Sequence, residues 1–134
     1  MKPDPAITAL LLDTTVIIDV LRNRNRRRAW LEQQILAGKS LATSAICIAE
    51  IHSGLRPGEE ANTRAFLAYL EWIPVLPSMA EHAGRMKADF SRRGRTYSLL
   101  DLLIAATAME GGLALVTDNQ KHFQIHGLTL YPLP

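Results

Sequence analysis

Short apolar runs of strand length alternate along this chain with longer stretches whose apolar residues recur at helical spacing. The first run, "TALLL" (Thr8 to Leu12), is continuously apolar, which predicts a strand buried on both faces. A short helix is expected over about 15–21 and a second over about 27–37, the latter turning Trp30, Leu31, Ile35 and Leu36 inward and stopping at Gly38. "SLAT" (Ser40 to Thr43) reads as a second strand, followed by a helix over 45–52 that ends near Gly54 and Pro57. Residues 59–72 are amphipathic, with Phe66, Leu67 and Leu70 on one side. "IPVL" (Ile73 to Leu76) is flanked by prolines, which suits a strand at a sheet edge. Helices are expected over 79–92 and 99–110, the second halted by Gly111 and Gly112. "LALVT" (Leu113 to Thr117) is another fully apolar strand, 119–123 a helical turn or two, and "LTLY" (Leu128 to Tyr131) a last short strand.

This alternation predicts an α/β fold: one domain over 1–134 with a mainly parallel central sheet flanked by helices. At 134 residues, 48% of them apolar, the chain is long enough to build a core. No apolar stretch approaches the roughly 20 residues of a membrane span. The opening "MKPDPAITAL" lacks the long apolar centre of a secretory signal. A cytoplasmic protein without a membrane partner is the expectation, and the lone Cys47, in "AICIA", is expected to be a core thiol. A net charge of +2 says little about partners, but eleven of the fifteen basic residues are arginine, and five crowd into "RNRNRRR" (Arg22 to Arg28). That segment is either a solvated helix start or a contact surface for RNA or an acidic partner.

Four acids stand in apolar company. Asp13 directly follows the first strand and Asp118 follows "LALVT", so both occupy the carboxyl ends of strands, where sites form in open parallel sheets. Each could instead be a helix N-cap, and Asn119 could cap as well as Asp118. Glu50 is the only charged side chain in "SAICIAEI" (Ser44 to Ile51), a helix expected to be buried, where an unpaired carboxylate would take up a proton unless a cation stood nearby. Asp101 sits in "SLLDLLIAATAM" with two leucines on either side, though Ser98 and Asp101 also have the spacing of a capping box. Carboxylates gathered in one cleft repel each other, and a divalent cation offsets that cost. With oxygen ligands and no matching His or Cys set, Mg²⁺ is the expected ion, with Mn²⁺ able to substitute. His122 and His126 lie four apart, but Gly127 and the short helical turn argue against a zinc pair. HExxH, CxxC, GxxxxGK[ST] and GxGxxG are all absent, and no serine has a nucleophile-elbow setting.

In order and spacing, "LLLDTTVIIDVL", "TSAICIAEIHSGL" and "LLDLLIAATAMEGGLALVTDNQKHF" resemble the successive motifs of PIN-domain ribonucleases, and specifically of the VapC toxins of bacterial toxin–antitoxin pairs. The resemblance covers nearly the whole chain. It implies that Asp13, Glu50, Asp101 and Asp118 are the metal-binding, catalytic acids, with Asp118 the most variable position. It also implies that Thr14 or Thr15, Thr117 and Asn119 are supporting polar groups. It further implies Mg²⁺-dependent endonucleolytic cleavage of RNA, often tRNA, a homodimer, and neutralisation by a VapB-like antitoxin. Arg22, Arg24, Arg26, Arg92, Arg93 and Arg95 are candidate contacts to RNA or antitoxin. Asp19, six helical residues and so about 120° around from Asp13, is read as supporting the site from outside or as solvated. The alternatives are a PIN-like module that binds RNA or protein without cutting, and a housekeeping metal-dependent nuclease or phosphatase.

Overall fold

In the computed structural model, which describes residues 3–134, period-two alternation along the strands divides the side chains between two cores. Strand β1 (Ala9–Leu12) sends Leu11 to one face of the sheet and Leu10 and Leu12 to the other. Strands β2 (Ser40–Ser44) and β4 (Ala114–Val116) do the same, Ala42 and Leu115 joining Leu11 while Leu41, Ala114 and Val116 join Leu10. Both faces are therefore covered, which is why β1 and β4 read as continuously apolar, while in β2 the buried Thr43 hydroxyl donates to the Leu12 carbonyl (3.0 Å). Helices α1 (Thr14–Leu21), α2 (Arg27–Leu36) and α4 (Glu60–Tyr69) supply one core. Helices α5 (Pro77–Arg92) and α6 (Leu99–Gly111) supply the other. Helix α3 (Ala45–Ser53) contributes Cys47 to one and Ile51 to the other.

Among the described residues the sheet has four strands, the fourth being β3 (Glu71–Ile73), in the order β3-β2-β1-β4, and every pairing is parallel. The chain runs outward from β1 to β2 and β3, then crosses back to place β4 on the other side of β1. That reversal makes the carboxyl ends of β1 and β4 a topological switch point, where open parallel sheets form a crevice.

Three expectations are corrected. The edge strand begins at Glu71, within the expected helix and not at Ile73. Leu70 is already extended, and the pairing with β2 runs from Glu71 to Ile73 and stops before Pro74. In α2 the inward stripe is Arg27, Trp30, Leu31 and Gln34, an i, i+3, i+4, i+7 set, whereas Ile35 and Leu36 lie off it, Leu36 being 87% exposed. Gln34 is tolerated inside because the Tyr131 hydroxyl donates to its Oε1 at 2.7 Å. "LTLY" makes a single parallel bridge, Leu115 to Leu130, beside β4, in which the Leu115 N–H donates to the Thr129 carbonyl (2.9 Å) and the Tyr131 N–H to the Leu115 carbonyl (2.8 Å). The 119–123 segment is a 3-10 turn, Gln120–Phe123.

Candidate active site

Asp13 is where β1 becomes α1. Its N–H extends the ladder by donating to the Val116 carbonyl (3.0 Å), and its extended backbone lets the side chain cap α1 through the Thr14 N–H (2.8 Å). The cap is therefore real, yet it uses only one lone pair of Oδ1. The carboxylate is buried. The Thr117 hydroxyl donates to its Oδ2 at 2.7 Å, and the Cys47 thiol lies 3.8 Å from Oδ1. Thr117 in turn accepts the Asn119 N–H (3.0 Å), so Asn119 supports the site with its backbone.

Glu50 reaches the same place from α3. Ser44 caps that helix by accepting the Cys47 N–H (3.1 Å). The i, i+3 spacing then puts Cys47 and Glu50 on one face. The Thr14 hydroxyl donates to Glu50 Oε1 at 2.7 Å, joining α1 to α3. Thr15 points to solvent. Glu50 is half-buried and not enclosed: α3 turns only Cys47 and Ile51 fully inward and leaves Ala45 and Ala49 exposed. Asp101 occupies the first turn of α6, where Ser98 caps the helix by accepting its N–H (3.0 Å). Its apolar setting is one-sided, because Leu102 is buried while Leu99 and Leu100 are about half exposed.

Charge repulsion ties these acids together. Burial pushes the Asp13 carboxyl above its ordinary pKa and the negative charge of Asp101 adds to that, against the donors Thr117, Thr14 and Cys47. Burial likewise raises Asp101, with Glu50 adding to it and Ser98 and His122 opposing. Ligand atoms of Asp13, Cys47 and Glu50 lie within 4.8 Å of one another. Two carboxylates at this spacing, with a third acid felt across the crevice, form a donor set suited to a divalent cation.

Asp118 is placed differently. It accepts from the Arg27 guanidinium at 2.5 Å, and Arg27 is itself buried and donates to the Pro134 carbonyl (3.3 Å). Asp19 is not solvated, and its recorded side-chain partner is Asn25, whose amide it accepts at 3.0 Å, bracing the 22–26 turn. Three of the six arginines proposed as contacts are paired with acids. Arg22 pairs with Glu59 (3.0 Å), and Arg92 and Arg93 both pair with Asp89 (3.5 and 2.6 Å). Arg24, Arg26 and Arg95 remain exposed. Sequence reasoning missed Cys47 as the neighbour of Asp13, although its spacing from Glu50 signalled it, and missed Arg27 as the partner of Asp118, which carried no local signal.

A PIN domain family model matches residues 10–127. The chain is 33% identical to ribonuclease VapC19 of Mycobacterium tuberculosis over 84% of this chain and 90% of the relative. It is 30% identical to the tRNA(fMet)-specific endonuclease VapC of Shigella flexneri, over 85% and 89%. A chain of the VapBC2 structure from Rickettsia felis, bound to a fragment of promoter DNA, superposes with a TM-score of 0.80 at 26% identity, over 94% of this chain and 99% of that one. With carboxylates gathered at the β1/β4 switch point and likeness running the length of the fold, the chain belongs to the PIN-domain family, alongside the VapC ribonucleases.

Proposed function

We propose that this protein is a divalent-metal-dependent endoribonuclease toxin of the VapC class, with Asp13, Glu50 and Asp101 holding the cation. The observation that carries the reading is the crowding of these acids beside the ends of β1 and β4: burial first raises the pKa of Asp13 and Asp101, and the charge of Asp101 adds to the one and that of Glu50 to the other. The ion is Mg²⁺, with Mn²⁺ able to replace it, because the ionised donors are oxygens. Cys47 does not alter that preference: burial first, then the Asp13 charge, pushes its thiol up, so it stays protonated as a donor to Asp13. When bound, the ion supplies a more acidic water and stabilises charge on a phosphodiester oxygen.

The side chains do the rest. Thr117 and Thr14 hold Asp13 and Glu50 in place. Asp101, half-buried and open to the crevice, accepts the proton of the attacking water. Asp118, anchored by Arg27, shapes the rim and is not a direct ligand in this arrangement. The substrate is RNA, and the Shigella relative's name favours tRNA among the first to try. The VapBC complexes among its structural relatives support a VapB-like antitoxin as partner. A panel of RNAs incubated with Mg²⁺ or Mn²⁺ tests the proposal. Cutting that EDTA and Asp101→Asn each abolish is the expected result. Cutting that survives both overturns the metal mechanism.

A further inference from the structure

Beside Asp101 opens a cavity of about 420 Å³ bordered by Arg95, Ser98, Lys121 and His122. We propose that this cavity binds an RNA backbone phosphate next to the scissile one, and that it reads the backbone and not the base. The proposal rests on the nuclease reading of the adjoining acids.

Charge is the first argument. Among the described residues, Arg95, Lys121 and His122 have no acidic ion-pair partner, whereas Arg92 and Arg93 share the single carboxylate of Asp89. Three basic side chains thus surround one carboxylate, leaving an excess of positive charge at a cleft wall that an extended polyanion must pass. A guanidinium fork beside an ammonium suits phosphate oxygens.

The surroundings favour backbone over base. The Arg95 guanidinium sits over the Phe90 and Tyr97 rings, at 5.6 and 5.8 Å, which holds it in position. Those rings are buried, and Tyr97 donates its hydroxyl to the Gln124 carbonyl (3.1 Å), so neither offers a face on which a base could stack. Lys121 and His122 also line a second cavity, of about 540 Å³, that reaches Thr117 on the other side of the 3-10 turn. The turn is a basic ridge running along the acids.

The test is fluorescence anisotropy in EDTA, which separates binding from cutting. The probes are short labelled single-stranded RNAs of two unrelated sequences, titrated at increasing KCl. Arg95→Gln and Lys121→Gln should each weaken binding several-fold and equally for both sequences. Each should also flatten the slope of log affinity against log salt by about 0.7. Arg95→Lys, which keeps the charge, should retain the slope, and Arg92→Gln should leave it unchanged. Unaltered slopes in both Gln variants overturn the proposal, as does a loss confined to one sequence. Loss of affinity for an oligoglutamate peptide without loss for RNA overturns it in favour of an acidic protein partner. If the slopes flatten as expected while cleavage assays with Mn²⁺ find no cutting by the wild-type protein, the nuclease reading alone fails. If cleavage persists with slopes unaltered, the subsite alone fails.

Discussion

Two conservative substitutions should move stability in opposite directions. Asp118→Asn removes the partner of a buried arginine. The pair is 2.5 Å apart, with the Arg27 side chain 7% exposed and Asp118 33%. Removing one partner of a fully buried pair costs about 3–5 kcal/mol. Solvent reaching Asp118 reduces that to about 2–3 kcal/mol. Arg27 has little to fall back on: the Pro134 and Asn25 carbonyls lie at 3.3 and 3.5 Å, and its Nε has no acceptor among the described residues. For a chain of this length that is a fall of roughly 8–12 °C in melting temperature. Asp101→Asn removes a charge that burial and Glu50 both oppose. It should raise the melting temperature in EDTA, and abolish cleavage when Mg²⁺ or Mn²⁺ is supplied. Thermal melts of both variants, followed by circular dichroism at neutral pH without metal, make the comparison. If Asp118→Asn stabilises as Asp101→Asn does, Asp118 belongs to the crowded group and the anchor assignment is wrong. If Asp101→Asn destabilises, Asp101 is structural.

Further outcomes follow from the same geometry. Asp13 and Asp101 have raised folded-state pKa values, so above the ordinary carboxylate range the folded protein holds protons that the unfolded chain releases, and stability falls as pH rises through that window. Melts in EDTA should show this decline from mild acid toward neutrality, and Mn²⁺ should remove it; a flat profile in both conditions would refute the crowding argument. Glu59 acts with the opposite sign: the Arg22 side chain, then the Arg56 N–H, lower it from 4.5 to about 2, so its contribution is lost as pH falls across that window, and Arg22→Gln should remove that acid-side dependence. Thr117→Val should cost about 1.5–3 kcal/mol at neutral pH and about 10–100-fold in Mn²⁺ affinity by calorimetry. Unchanged affinity would show that Thr117 does not hold Asp13. Cys47 is wholly buried with a raised pKa, so a thiol reagent should label it only at the rate of unfolding, and prompt labelling of the native protein would contradict its placement.

Strands β1 and β4 were legible because they are buried on both faces and therefore spell continuous apolar runs. Asp13 and the carboxyl end of "LALVT" were legible because a charge abruptly ends such a run. Glu50 and Asp101 stood out by contrast with their neighbours, although the contrast overstated their burial, since alanine and leucine also lie at the surface of α3 and α6. Contacts between distant segments were not legible. Arg27 meets Asp118 across 91 positions, and nothing near either residue encodes the pairing. In the arginine-rich segment the sequence shows charge density, but only the fold shows that Glu59 takes Arg22, that Asp118 takes Arg27, and that Arg28 closes the carbonyl end of α1 through Val20 and Leu21. The extended residues after α4 were absorbed into its amphipathic pattern because a short edge strand carries too few positions to establish its own period.

An anomalous difference map from a crystal soaked in Mn²⁺ addresses the site most directly. The account predicts one strong peak bounded by the carboxylates of Asp13 and Glu50 and facing Asp101, lost when Asp13 is replaced by Asn. A peak seated on Asp118 instead, or carboxylates left bare at saturating Mn²⁺, would contradict it.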